Sequence, residues 1–209
     1  MRLRSLRLVA TVALAAAACA PRAAPLVGAP VPARLPAAAL DAPRQIVFRW
    51  SLEDGTLVAR GEGVARVAPP DSARLDFFLD GGAGGGTAFL IGDALDAPGG
   101  DFVRRLLPPA PLLWASLGRL AVPPGDTVAR LDGGVLRADI GGGPVYRVSF
   151  EGDSLRRVER IDGGRLQEWV ARSAEGRIEY RHEASGRRLS LEVTRVASPG
   201  GFDASIWAR

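Results

Sequence analysis

Val145–Thr194 reads VYRVSFEGDSLRRVERIDGGRLQEWVARSAEGRIEYRHEASGRRLSLEVT. Glycine-bearing pairs punctuate it at Gly152-Asp153, Asp162-Gly163-Gly164, Glu175-Gly176 and Ser185-Gly186. They recur about every ten residues, the spacing of a β-meander. Such pairs supply the positive φ that tight hairpins need. Between them the chain alternates. Leu189, Leu191 and Val193 take one parity, and Ser190, Glu192 and Thr194 the other. Ile178, Tyr180 and His182 share a parity in the preceding run. Period-two alternation marks half-buried antiparallel strands. The reading is strands at 145–151, 154–161, 165–172, 177–183 and 187–196.

The same signature extends upstream. Ile46, Phe48 and Trp50 alternate with Val47, Arg49 and Ser51, and Leu75, Phe77 and Leu79 alternate with Arg74, Asp76 and Asp80. Further strands are expected at 45–52, 57–68, 73–80, 87–92, 127–131 and 135–140, with a final edge strand at 202–208. One stretch breaks the period. Asp101–Leu107 has an N-capping residue at its start, and Pro111–Leu120 opens with proline, which suits a first helical position. Leu113, Trp114, Leu117 and Leu120 fall on one helical face. The expected fold class is α+β and mostly antiparallel β. A sheet this long must curl, giving an open half-barrel whose concave face is covered by a short central helical insertion.

The chain starts differently. Arg2, Arg4 and Arg7 precede the apolar run Leu8–Ala18, which is too short to span a bilayer and has the form of a secretory signal peptide over 1–18. Cys19 follows at once, and the chain has no other cysteine. Leu14–Cys19 (LAAAAC) resembles a bacterial lipobox. The resemblance implies a covalent lipid on Cys19, palmitate among its acyl chains, and a membrane anchor of several chains. Ordinary cleavage leaving a free thiol is the alternative. Ala20, rather than an acidic residue, follows the cysteine; by the sorting rule of two-membrane bacteria this implies the periplasmic face of the outer membrane. Residues 19–43 then form a Pro/Ala-rich tether. Proline at this density blocks regular helix, so a semi-rigid spacer some tens of Å long is expected, with room for a short helix at Pro36–Leu40. The domain proper is expected at 44–209.

Composition removes several function classes. The chain has 209 residues and a formal charge of +4, but no lysine and no asparagine, so all 27 basic residues are arginine. That excludes a Walker P-loop and a Schiff-base enzyme. Five arginines precede residue 40, while 22 arginines and all 23 acids follow it. The folded part therefore lacks the positive surplus that a nucleic-acid binder needs, and no nucleic-acid partner is expected.

Lipobox, tether, and a meander interrupted by a central helix together resemble the LolA/LolB-type lipoprotein-localisation superfamily. Gly61–Leu79 (GEGVARVAPPDSARLDFFL) resembles that family's second and third strands: a glycine-marked strand, a proline turn and an Arg-led strand. The resemblance implies a half-barrel whose groove binds an acyl chain, lipid or lipoprotein in the cell envelope, with helices as a lid. On that reading the groove lining includes Phe48, Trp50, Phe77, Leu79, Phe89, Leu113, Trp114 and Leu117, although core packing explains each of these residues as well.

Enzymatic chemistry has little support. A triad needs a nucleophile and an orienting carboxylate around His182, the single histidine. Ser116 stands in WASLG, which lacks the first glycine of a nucleophile elbow. Gly81–Thr87 reads as a glycine hairpin loop rather than a phosphate loop. Asp93, Asp96 and Asp101 lack calcium-loop spacing. No cofactor or metal is expected. The alternative to a lipid-binding lipoprotein is a structural or interaction module of the envelope that binds a protein partner.

Overall fold

The computed structural model describes residues 20–82, 84–98 and 101–207. The expected signal peptide and Cys19 lie outside them. Among the described residues, thirteen strands form one antiparallel sheet. They are β1 (Ala29–Val31), β2 (Arg44–Asp54), β3 (Leu57–Ala68), β4 (Ser72–Leu79), β5 (Gly85–Ile91) and β6 (Ala94–Asp96). Two helices follow, α1 (Asp101–Leu106) and α2 (Ala110–Ser116). After them come β7 (Thr127–Asp132), β8 (Val135–Ile140), β9 (Val145–Glu151) and β10 (Ser154–Asp162). β11 (Arg165–Arg172), β12 (Arg177–His182) and β13 (Arg187–Ala197) complete the sheet.

Its order is β1-β7-β8-β9-β10-β11-β12-β13-β2-β3-β4-β5-β6. The meander β7–β13 pairs through β13 with the meander β2–β6, with Leu191 opposite Trp50 and Leu189 opposite Leu52. β1 and β6 remain as edges, so the barrel is open. Turn chemistry fixes the hairpins. Between β10 and β11, Gly163 and Gly164 both hold positive φ, 55° and 71°, a backbone that matches the twist of paired strands and disfavours any side chain. Alternation then sorts the faces. Tyr146, Val148 and Phe150 of β9 are buried on the concave side, while Arg147 and Ser149 face outward. α1 and α2 lie within the concavity, α1 against β5 and α2 against β10–β12. Their Val103, Leu106, Leu112, Leu113 and Trp114 are almost wholly buried.

The half-barrel with its helical insertion is as read from the sequence. Four details differ. The helix expected to reach Leu120 ends at Ser116, because Gly118 turns into the left-handed region (φ 91°). Residues 36–40 form no helix. The expected final edge strand is instead one 3-10 turn, Ala204–Trp207, after irregular chain. β6 was not foreseen.

The expected spacer is docked on the sheet. Pro21 accepts from the Leu166 amide (2.8 Å) and Ala23 donates to Gly164 (3.0 Å), which fixes it at the β10–β11 turn. The guanidiniums of Arg165, Arg147 and Arg130 hold the carbonyls of Ala20, Ala24 and Gly28 at 3.0, 2.5 and 3.0 Å. The segment thus crosses the convex face and adds β1 to the edge of β7, with Pro30 opposite Arg130. A proline is tolerated there because an edge strand has one unpaired side. Residues 32–43 then return to the concave side. The Leu120 amide donates to Ala38 (2.9 Å), and Leu40 joins the core.

Candidate functional site

The concave face is not filled. Between sheet and helices lies a cavity of about 510 Å3, within the range of roughly 300–1,000 Å3 usual for small-molecule sites. Its floor is Ile178 and Tyr180 of β12 and Leu189, Leu191 and Val193 of β13. α2 supplies the roof through Leu113 and Ser116, continued by Leu117. Phe48 and Phe77 close the inner wall, with their rings edge-to-face at 5.8 Å. The mouth lies where β2 begins and where the β9–β10 and β11–β12 turns lie, and Ala37–Ala39 flank it.

Two glycines of β3 make room for the aromatic rings of β2, Phe48 in this wall and Trp50 outside it. A side chain at Gly63 would place its Cβ 2.5 Å from the Phe48 ring, and one at Gly61 would lie 3.0 Å from the Trp50 ring. The bare backbone of β3 lets both rings lie flat across it. This is the physical content of the glycine-marked strand.

Of the residues expected to line a groove, Phe48, Phe77, Leu113 and Leu117 do so. The others lie elsewhere. Trp50 is buried beneath α1 beside Phe102 (6.1 Å), and its indole N–H donates to the Glu62 carbonyl at 2.9 Å. Trp114 donates to the Gly92 carbonyl at 2.6 Å and stacks under Arg119. Leu79 packs at the margin of the core. Phe89 pairs with Arg74 and Asp96, so it faces the convex side, where the Arg74 guanidinium covers its ring. The sheet floor was missed as a site. Its signal was present in the alternation of Leu189, Leu191 and Val193, which reads equally as core.

A polar chain crosses the concave interior behind the cavity. Glu168, almost fully buried, accepts from Arg160 Nε (2.6 Å) and from the Tyr180 hydroxyl (2.8 Å). Arg187 donates to the Tyr180 hydroxyl (2.6 Å) and to the Arg105 carbonyl (3.0 Å), tying α1 to the sheet. Burial, reinforced by the Glu168 carboxylate, pushes the Tyr180 phenol above its ordinary range. The hydroxyl therefore stays protonated and donating.

At the mouth stand Arg44, Arg156 and Arg172, with Asp41 and Asp153. Arg44 reaches Asp41 at 3.2 Å and Arg156 reaches Glu151 at 3.0 Å. Arg172 donates to the Ser116 carbonyl at the end of α2. Burial, and the positive charges of Arg44 and Arg156 beside it, hold its guanidinium below the usual arginine range.

The residues considered for chemistry have local roles. His182 Nδ1 accepts from the Ser185 amide (3.2 Å) across the β12–β13 turn. The Ser116 hydroxyl donates to the Leu113 carbonyl (2.7 Å). Gly81 and Gly82 lie in a 3-10 turn after β4, and Gly85–Thr87 open β5. Among the described residues, no group of three His, Cys, Asp or Glu side chains is placed to hold a metal. Among them, no helix is long and apolar enough to cross a membrane.

No family model and no curated protein matches the sequence. Solved structures do match in shape. One is a domain from Vibrio parahaemolyticus described as an outer membrane lipoprotein-sorting protein, with a TM-score of 0.53 at 8% identity, covering 80% of this chain and 89% of that one. Another is a LolA superfamily protein from Nitrosomonas europaea, with a TM-score of 0.52 at 12% identity, covering 85% of this chain and 93% of that one. The open antiparallel half-barrel with its helical insertion is therefore a LolA-like fold.

Proposed function

We propose that the protein is a non-enzymatic lipoprotein of the cell envelope that holds an apolar ligand under α2 for lipid or lipoprotein handling. The ligand is an acyl chain, a lipid, or the acyl portion of a lipoprotein. The observation that carries this reading is the cavity, walled by Phe48, Phe77, Ile178, Leu189 and Leu191 and roofed by a short helix. Binding needs only the burial of apolar surface, at about 25 cal/mol per Å2. The LolA-like fold supports it, since one solved structure of similar shape is described as a lipoprotein-sorting domain. Cys19, after its apolar run, supplies the anchor to the periplasmic face of the outer membrane.

Native mass spectrometry tests the ligand. The full chain with Cys19→Ser, exported and purified without detergent, is expected to carry a lipid that organic solvent removes. A bare protein that also fails to take up the neutral apolar dye N-phenyl-1-naphthylamine would reject the reading. Labelled palmitate tests the anchor: incorporation is expected in the native chain and absent from Cys19→Ser. No label in the native chain would remove the anchor from the proposal.

A further inference from the structure

We propose that the cavity mouth is a headgroup site for an anionic amphiphile, a carboxylate or phosphate on an apolar chain, with Arg172 as its principal cation. This rests on the reading that the cavity takes an apolar chain, and it adds the chemistry of the ligand's other end. Apolar side chains dominate the inner walls, and three guanidiniums gather on the rim. Two of them have carboxylates, Arg44 through Asp41 and Arg156 through Glu151. No carboxylate among the described residues lies within ion-pair distance of Arg172, although Asp153 shares the rim.

The Ser116 carbonyl accounts for one of the Arg172 N–H donors. A cation suits that place, because carbonyls at a helix end attract positive charge. A single carbonyl leaves most of a guanidinium fork unused. The fork is also held in place: a Cβ on Gly118 would sit 3.4 Å from it, so it lies flat on the turn after α2. A guanidinium partly withdrawn from water, beside two others, lacks a counter-charge. Its depressed proton affinity is the sign of that situation. A carboxylate or phosphate accepts such a fork bidentately. An amphiphile with its chain under α2 brings its headgroup to this rim.

The test uses the full chain with Cys19→Ser, stripped of lipid and loaded with N-phenyl-1-naphthylamine. Oleate, lysophosphatidylglycerol and the uncharged oleyl alcohol compete for the dye near pH 8, where both anions are ionised. At least one anion is expected to displace the dye at about tenfold lower concentration than the alcohol, with the gap narrowing at high salt. Preference for oleate alone names a fatty acid, and preference for the lysolipid alone names a phosphate headgroup. Arg172→Gln is expected to abolish the preference, read as the ratio of the anion and alcohol concentrations that displace the dye from the variant. An alcohol as potent as both anions in the parent chain overturns the inference, and so does a preference that survives Arg172→Gln. If Arg172→Gln does not fold, the salt dependence of the parent chain and an Arg44→Gln/Arg156→Gln pair decide it: no salt effect and no loss overturn the headgroup site. Failure of all three competitors and of the dye is a different result and refutes the cavity reading itself.

Discussion

The alkaline limit of this protein is expected to be set by Tyr180. Its ring is 2% exposed, and its hydroxyl donates to a buried carboxylate. Burial, and then the neighbouring Glu168 carboxylate, disfavour a phenolate, so the folded pKa lies above the ordinary phenol value of about 10. The unfolded chain releases this proton near pH 10, whereas the folded chain keeps it. Stability from this group is therefore complete below about pH 10 and falls above it by about 1.4 kcal/mol per pH unit. Composition makes the effect readable: the chain has no lysine and only two tyrosines, and an ordinary arginine stays charged beyond about pH 12. Arg172, held below that range, is common to parent and variant and cancels in their difference. Tyr146 is the second tyrosine and is also raised, chiefly by burial. Urea unfolding followed by tryptophan fluorescence between about pH 9 and 11.5 measures the slope. Tyr180→Phe is expected to remove about 1.4 kcal/mol per pH unit from it, after an initial cost of about 1–2 kcal/mol for the lost hydroxyl partner. An unchanged slope in the variant would refute the buried, protonated hydroxyl.

Glu168→Ala leaves Arg160 and the Tyr180 hydroxyl without their shared acceptor. A broken buried pair costs about 3–5 kcal/mol; because the Arg160 side chain is 28% exposed and reaches water, the expected loss is about 2–4 kcal/mol, read from the urea midpoint. Gly63→Ala drives the Phe48 ring toward the cavity, at an overpacking cost of about 1–3 kcal/mol; unfolding and dye uptake are both expected to weaken, and unchanged uptake would mean that the ring finds room elsewhere. Arg147→Ala frees the Ala24 carbonyl and breaks the two-point pair with Asp139 at 2.7 and 2.9 Å. The Ala23 amide is then expected to exchange hydrogen about tenfold faster, with global stability little changed.

Period-two patterning made most strands and their hairpins legible, because each strand buries one face only. It failed where that condition fails. In β5, Ala88, Phe89 and Leu90 are all buried, so parity does not reveal which side faces inward, and Phe89 went to the wrong one. β1 has three residues, one a proline, and its pairing is imposed by β7 rather than by local propensity. The tryptophans misled for another reason. A buried indole needs an acceptor for its N–H, and the Glu62 and Gly92 carbonyls draw Trp50 and Trp114 away from the cavity. Nothing in the sequence singles out Arg172, the last residue of the strand expected at 165–172. Its burial comes from Ser116–Gly118, more than fifty residues distant along the chain.

If Cys19 carries the proposed lipid, the docked N-terminal segment sets how the domain is presented to a bilayer. Residues 20–23 leave the sheet at the β10–β11 turn, and the cavity mouth lies at the far ends of the same strands, beside Arg156 and Arg172. The eight residues of β11 separate the two by about 25 Å at strand rise. An anchor on Cys19 would therefore hold the domain close to its own leaflet with the mouth directed outward. Cargo would then load from the aqueous side or from a delivering partner, and the anchoring leaflet would have no lateral route to the chain site. With that anchor in place, the strap would turn a flexible leash into a fixed bearing.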